Sequence, residues 1–178
     1  VIAFWRLSIA SILLWFYGFL TKQPKIDKSD YKYFIISGFF LALHFNSFYL
    51  AVKLTSIANA TLLGITAPMF TIIHERIYLK KRVKPVVFLG FLLAAVGSII
   101  ITGMGFISSR NSISGQLYGL IASFCIAMVY IAAKPLRARS NTTVYTKFLY
   151  IYGAIFLLLF TLLSNNNFLE ITSNDAIW

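Results

Sequence analysis

The chain has 178 residues, 59% of them hydrophobic and 12% charged, with a mean hydropathy of +0.80. A soluble domain carries about 25% charged residues and cannot hide this much apolar surface at this size, so a soluble fold is excluded and the lipid bilayer is the expected surrounding. The net charge of +11 would suit nucleic acid if it formed one polar face, but Lys and Arg fall mainly between apolar runs, and no nucleic-acid partner is expected.

The first apolar run, 1–20, is long enough to cross roughly 30 Å of hydrocarbon, which takes about 20 residues. A secretory signal would begin basic and end on a small-residue cleavage site. Here Arg6 lies inside the run and Trp15, Phe16 and Tyr17 occupy its end, so a membrane span is expected. After the link "TKQPKIDKSDYK" comes a second span, 33–52. On it Gly38, Ala42, Asn46 and Tyr49 share one face. His44 sits about 200° from both Ala42 and Asn46 at roughly 100° per residue. Asn46, on the small face, is therefore expected inside, with Tyr49 beside it as a candidate substrate contact. His44 is either a proton-responsive group or a hydrogen-bonded contact between helices.

The third span, 57–79, contains a helix breaker, Pro68, near its middle. Proline cannot donate to the carbonyl of Gly64 and kinks the helix. In hydrocarbon a freed carbonyl is tolerated only against protein or a hydrated cavity. Asn59 and Thr66, seven apart, lie beside the small stripe Ala60, Gly64, Ala67 and Thr71. Asn59, Gly64, Thr66 and Pro68 together suggest a polar concavity, with a kink used only for packing as the alternative. Glu75 is the sole acid within any span. It lies next to His74 and Arg76, where a structural ion pair or a coupling role is open to it. "HERIY" is no zinc site, because Tyr78 stands where H-E-x-x-H needs its second His.

Small residues recur at helical spacing on the remaining spans, as close helix packing in membranes favours. They are Gly90, Ala94 and Gly97 on span 86–107, and Gly115, Gly119, Ser123 and Ala127 on span 115–133. Static packing is the default reading of these stripes. Ser123 and Tyr130 are added as candidate substrate contacts. The last span, 144–163, carries Lys147. The single cysteine, Cys125, falls inside an apolar segment and allows no intrachain disulfide.

The connections alternate in charge. The first, third and fifth are rich in Lys and Arg; the second has Lys53 alone, the fourth Arg110 alone, and the segment after 163 none. Basic loops stay in the cytoplasm, which places these three loops there, in the cell (inner) membrane, and residue 1 outside. The chain opens on Val1 and closes on "NDAIW", so an internal fragment lacking helices at both ends is expected.

The stretch "FNSFYLAVKLTSIANATLLGITAPMFTIIHERIYLKKRVKPVVFLGFLLAAVGSIII" resembles the EamA repeat of the drug/metabolite transporter superfamily. The resemblance rests on Ala51-Val52 before "KLTS", then Pro68, Glu75, and Gly90 with Gly97; Arg6 in "AFWRLSIAS" also matches. "SGQLYGLIASFCIAMVYIAAKPLRAR" looks like the first helix of a second repeat. His74 departs from the pattern, since a small residue usually precedes the Glu. The resemblance implies an all-α, polytopic helical bundle of inverted five-helix repeats, incomplete at both ends. Residues 1–108 would be a first repeat lacking its first helix, and 109–178 the start of a second. On that scheme Arg6 aligns with Lys147, one near the outer and the other near the inner membrane face, as inverted repeats require. With Glu75, these two complete the candidates for an ion pair or coupling.

The implied function is a secondary carrier for a small-molecule substrate, working by alternating access without cofactor or metal. A membrane-embedded enzyme would need paired acids, a His/Asp cluster or an activated nucleophile, which one intraspan acid and two histidines do not supply. A non-transporting membrane scaffold is the third reading. The residues set neither the substrate's identity nor the oligomeric state.

Overall fold

The computed structural model describes residues 2–24, 26–78, 80, 84–102, 112–137 and 140–163. Regular structure among them is entirely helical. Helix α1 covers Ile2–Leu20, and a short 3-10 turn, Lys28–Asp30, leads into α2, Tyr31–Leu54. Next come α3, Ile57–Gly64, and α4, Ala67–Tyr78, followed by α5, Pro85–Thr102. Helices α6, Ile113–Arg137, and α7, Thr142–Leu163, complete the set.

Local chemistry sets several of the helix ends. Ser56 caps α3 by accepting from the Asn59 amide at 3.2 Å, and Asn141 accepts from the Thr143 amide at 3.3 Å at the start of α7, so each supplies an acceptor to an otherwise orphaned first-turn donor. Pro85 opens α5, the position where a missing N–H costs nothing. Pro135 is carried inside the last turn of α6, which runs to Arg137 rather than stopping at 133. The expected end of the fourth span, 103–107, lies outside the described residues.

Five segments among the described residues are long and apolar enough to cross a membrane: Ile2–Leu20, Lys28–Leu54, Ile57–Tyr78, Ile113–Leu136 and Thr142–Leu163. Their lipid-facing character is visible in the side chains left outside. Ile12, Leu13, Phe16, Phe19 and Leu20 on α1 are all more than 60% exposed, an arrangement water would punish and hydrocarbon does not.

The chain forms two compact units. One comprises Val1–Ala42 with Ala132–Trp178 and is built on α7. Its core is aromatic: Phe34, fully buried, stacks on Phe148 at 4.9 Å, and Trp15, Tyr31 and Tyr145 pack edge-on or tilted around this pair. Backbones meet at Gly38, where a Cβ would collide with the Cβ of Tyr152 and lie 2.9 Å from the Gly153 nitrogen. A Cβ on Gly153 would in turn meet Leu7 and Leu41, each at 3.1 Å. Trp15 meets Phe148 and Leu7 meets Gly153, so α1 runs antiparallel to α7. Phe34 meets Phe148, Gly38 meets Tyr152 and Phe39 meets Phe156 at 5.4 Å, so α2 runs parallel to it. The two short helices α3 and α4 together make up one segment, Ile57–Tyr78, long and apolar enough to cross a membrane.

The other unit, Leu43–Ile131, holds the second half of α2, helices α3 to α5 and most of α6. Here α6 packs through its small stripe. A Cβ on Gly115 would lie 2.9 Å from the Leu54 carbonyl carbon, and one on Gly119 would lie 2.6 Å from a Leu63 methyl. Ala127 is fully buried.

Candidate functional site

The interruption between α3 and α4 gathers hydroxyls, a side-chain amide and a shared backbone carbonyl within the second unit. The sequence predicts a single kinked helix over 57–79. Instead the helix stops at Gly64, and Ile65 and Thr66 form a turn. The turn is held by tight bonds, from the Ile65 amide to the Leu62 carbonyl at 3.1 Å and from the Thr66 amide to the Leu63 carbonyl at 3.0 Å. The Thr66 hydroxyl donates to that same Leu63 carbonyl at 2.6 Å. A third donor, the buried hydroxyl of Ser123, arrives from α6. The break is thus paired across helices, which is how an interrupted backbone survives at membrane depth.

Pro68 sits in the first turn of α4, not in a helix interior. Its missing N–H is one of the donors a helix start leaves unused in any case. None of the described residues lies within 4 Å of a Cβ built on Gly64, so among them the space beside this residue is open. Asn59 is buried, and its side-chain amide donates to the Thr55 hydroxyl at 3.2 Å. The ensemble is uncharged: hydroxyls, an amide and backbone carbonyls.

Of the substrate contacts expected from the sequence, Asn59, Gly64, Thr66 and Ser123 fall around this break, with exposed Pro68 at its edge. Asn46 does not take the interior position expected for it; it is exposed. His44 takes the covered side of α2, donating from Nδ1 to the Ala122 carbonyl at 2.8 Å and stacking on Phe48. The helical wheel separated the two residues correctly. Which face a neighbour covers is decided by α6, not by α2's own pattern. Tyr49 and Tyr130 are about half exposed.

Of the charged candidates, Arg6 is exposed on α1 and Glu75 is half-buried near the end of α4. Lys147 is 8% exposed, with Nζ 4.7 Å from the centre of the Trp15 ring. The residues missed by the sequence reading are Leu63, whose carbonyl collects the hydroxyls, and Thr55, the partner of Asn59. The i, i+4 spacing of Thr55 and Asn59 could have signalled the second. Nothing in a leucine signals the first. Among the described residues no cluster of His, Cys, Asp or Glu could hold a metal ion.

Helices of this length and apolarity, joined in sequence, define a polytopic helical membrane protein. The model of the EamA-like transporter family matches residues 1–103, more than half of the chain, and the chain belongs to that family. It is similar to the "Uncharacterized transporter YdfC" of Bacillus subtilis (strain 168), with 28% identity over 132 residues. That match takes in 73% of this chain and 42% of the relative, so the chain spans less than half of the relative's length. No solved structure matches it.

Proposed function

We propose that the chain is part of a secondary carrier that moves a small organic solute across the cytoplasmic membrane by alternating access. Membership of a transporter family supports the class. The observation that carries the mechanism is the α3–α4 interruption, because carriers bind their substrates at discontinuous helices near the bilayer midplane. On this reading residues 1–108 and 109–178 belong to two inverted repeats. The basic first, third and fifth connections face the cytoplasm. Asn59, Gly64, Thr66, Pro68 and Ser123 line the polar side of the substrate path, and Tyr49 and Tyr130 add contacts to it. Arg6 and Glu75 are left for ion pairing or coupling. An uncharged set of hydroxyls and an amide suits a solute recognised by hydrogen bonds rather than by fixed charge.

The test is solute movement by the full-length protein. Metabolite profiles of cells with and without it nominate the solute, and uptake or efflux of that solute is then measured in reconstituted vesicles. Saturable movement that Asn59→Ala and Thr66→Val weaken supports the proposal. A solute chemically altered rather than moved would indicate an embedded enzyme. A cellular phenotype with no movement of any nominated solute would indicate a scaffold.

A further inference from the structure

Helices α1 and α7 enclose an apolar groove of about 690 Å³. Along α1 it is lined from Phe4 to Phe19, a length of about 22 Å at 1.5 Å per residue. One leaflet's hydrocarbon is roughly 15 Å deep, half of a 30 Å core, so the groove accommodates an extended acyl chain. Trp15 lines it toward the end where α1 finishes and α7 begins. The Trp15 Nε1–H is buried and has no acceptor among the described residues.

Directly over this indole stands Lys147, with Nζ 4.7 Å from the Trp15 ring centre and 5.4 Å from that of Phe148. The residue is more than nine-tenths buried. Among the described residues no carboxylate or other acceptor bonds its ammonium group. Ring faces offset part of the cost of burying a cation but use none of its three N–H donors. Lys147 lies about 7.5 Å from the start of α7, five residues in, close enough for its long side chain to meet the interfacial layer.

A lysine ammonium packed against ring faces and an orphaned N–H at one end of an apolar groove suit an anion attached to hydrocarbon. We infer that the α1–α7 face binds an anionic phospholipid, with one acyl chain along the groove and the phosphate taken by Lys147 and Trp15. Transport by the protein is not required for this site, which stands on α1 and α7 alone.

Native mass spectrometry of the intact protein, extracted from phosphatidylcholine vesicles doped with phosphatidylglycerol, tests it. Phosphatidylglycerol should be retained over phosphatidylcholine by about fivefold. Lys147→Met should abolish the preference and Lys147→Arg should keep it. Trp15→Phe, which deletes the N–H and keeps a ring, should reduce it. Should Lys147→Met not fold, the wild-type protein still decides: phosphatidylglycerol should raise its melting temperature, and glycerol phosphate, the head without chains, should not. Equal retention of the two lipids, or a preference that survives in Lys147→Met, would overturn the site. Photo-crosslinking from Ile12 that captures another segment of the protein or a second copy in place of phospholipid would do so too.

Discussion

A single added methyl group would meet very different surroundings at two of the described glycines, Gly38 and Gly90. At Gly38 the obstacle is the backbone of Tyr152 and Gly153, which cannot rotate away. Gly38→Ala is expected to cost about 1–3 kcal/mol, the usual range for overpacking, read as a lowered melting temperature in detergent. At Gly90 none of the described residues comes within 4 Å of where that methyl would stand. Gly90→Ala should therefore be neutral or stabilising, by up to about 1 kcal/mol from helix propensity. Ser123→Ala removes one of three donors from the Leu63 carbonyl. Interhelical hydrogen bonds in membranes are worth about 0.6 kcal/mol on average, so a loss of that order is expected in unfolding titrations. A much larger loss would mean that the Leu63 carbonyl depends on Ser123 alone.

The α3–α4 pair changes what Pro68 is expected to do. A proline in a helix interior is worse than Ala by about 3 kcal/mol, and on that basis Pro68→Ala would strengthen the protein markedly. In the first turn of α4 the penalty is largely absent, so the variant's melting temperature should stay close to that of the wild type. The new amide at position 68 can reach the Gly64 carbonyl and draw Ile65 and Thr66 into one continuous helix. Transport by the full-length protein should fall while folded yield holds. A variant with wild-type yield and wild-type transport would reduce the break to a packing feature. A kink was readable from Pro68 in an apolar run, because proline acts locally. The break found there was not, since it depends on the hydroxyls of Thr66 and Ser123, 57 residues apart in sequence, converging on Leu63. The same division holds elsewhere. The stripe Gly115, Gly119, Ser123 and Ala127 announced a close helix contact by its spacing alone. The contact of Lys147 with Trp15 joins two helices at opposite ends of the chain, and no periodicity within either one reports it.

Across the bilayer the parallel register of α2 and α7 and the antiparallel register of α1 make a statement about topology that owes nothing to charge. The ends of α1 and the starts of α2 and α7 lie on one side, and these are the ends next to the Lys-rich first connection and the basic fifth. If that side is the cytoplasm, a cysteine at Ser29 in a Cys125→Ser background should resist an impermeant thiol reagent in intact cells. A cysteine at Asn166, outside the described residues, should react. The opposite labelling pattern would invert the orientation while leaving the helix register untouched.

The backbone contact at Gly38 also sets a schedule. Its partners, Tyr152 and Gly153, are synthesised about 110 residues later, roughly 5–20 s at ordinary rates of translation. During that interval α1 and α2 are in the membrane with the Phe34 and Gly38 surface uncovered, and only the arrival of α7 closes it. A chain stopped at Arg137 should insert its helices and still be cleared quickly by membrane proteases, because α7 is the helix that α1 and α2 are waiting for.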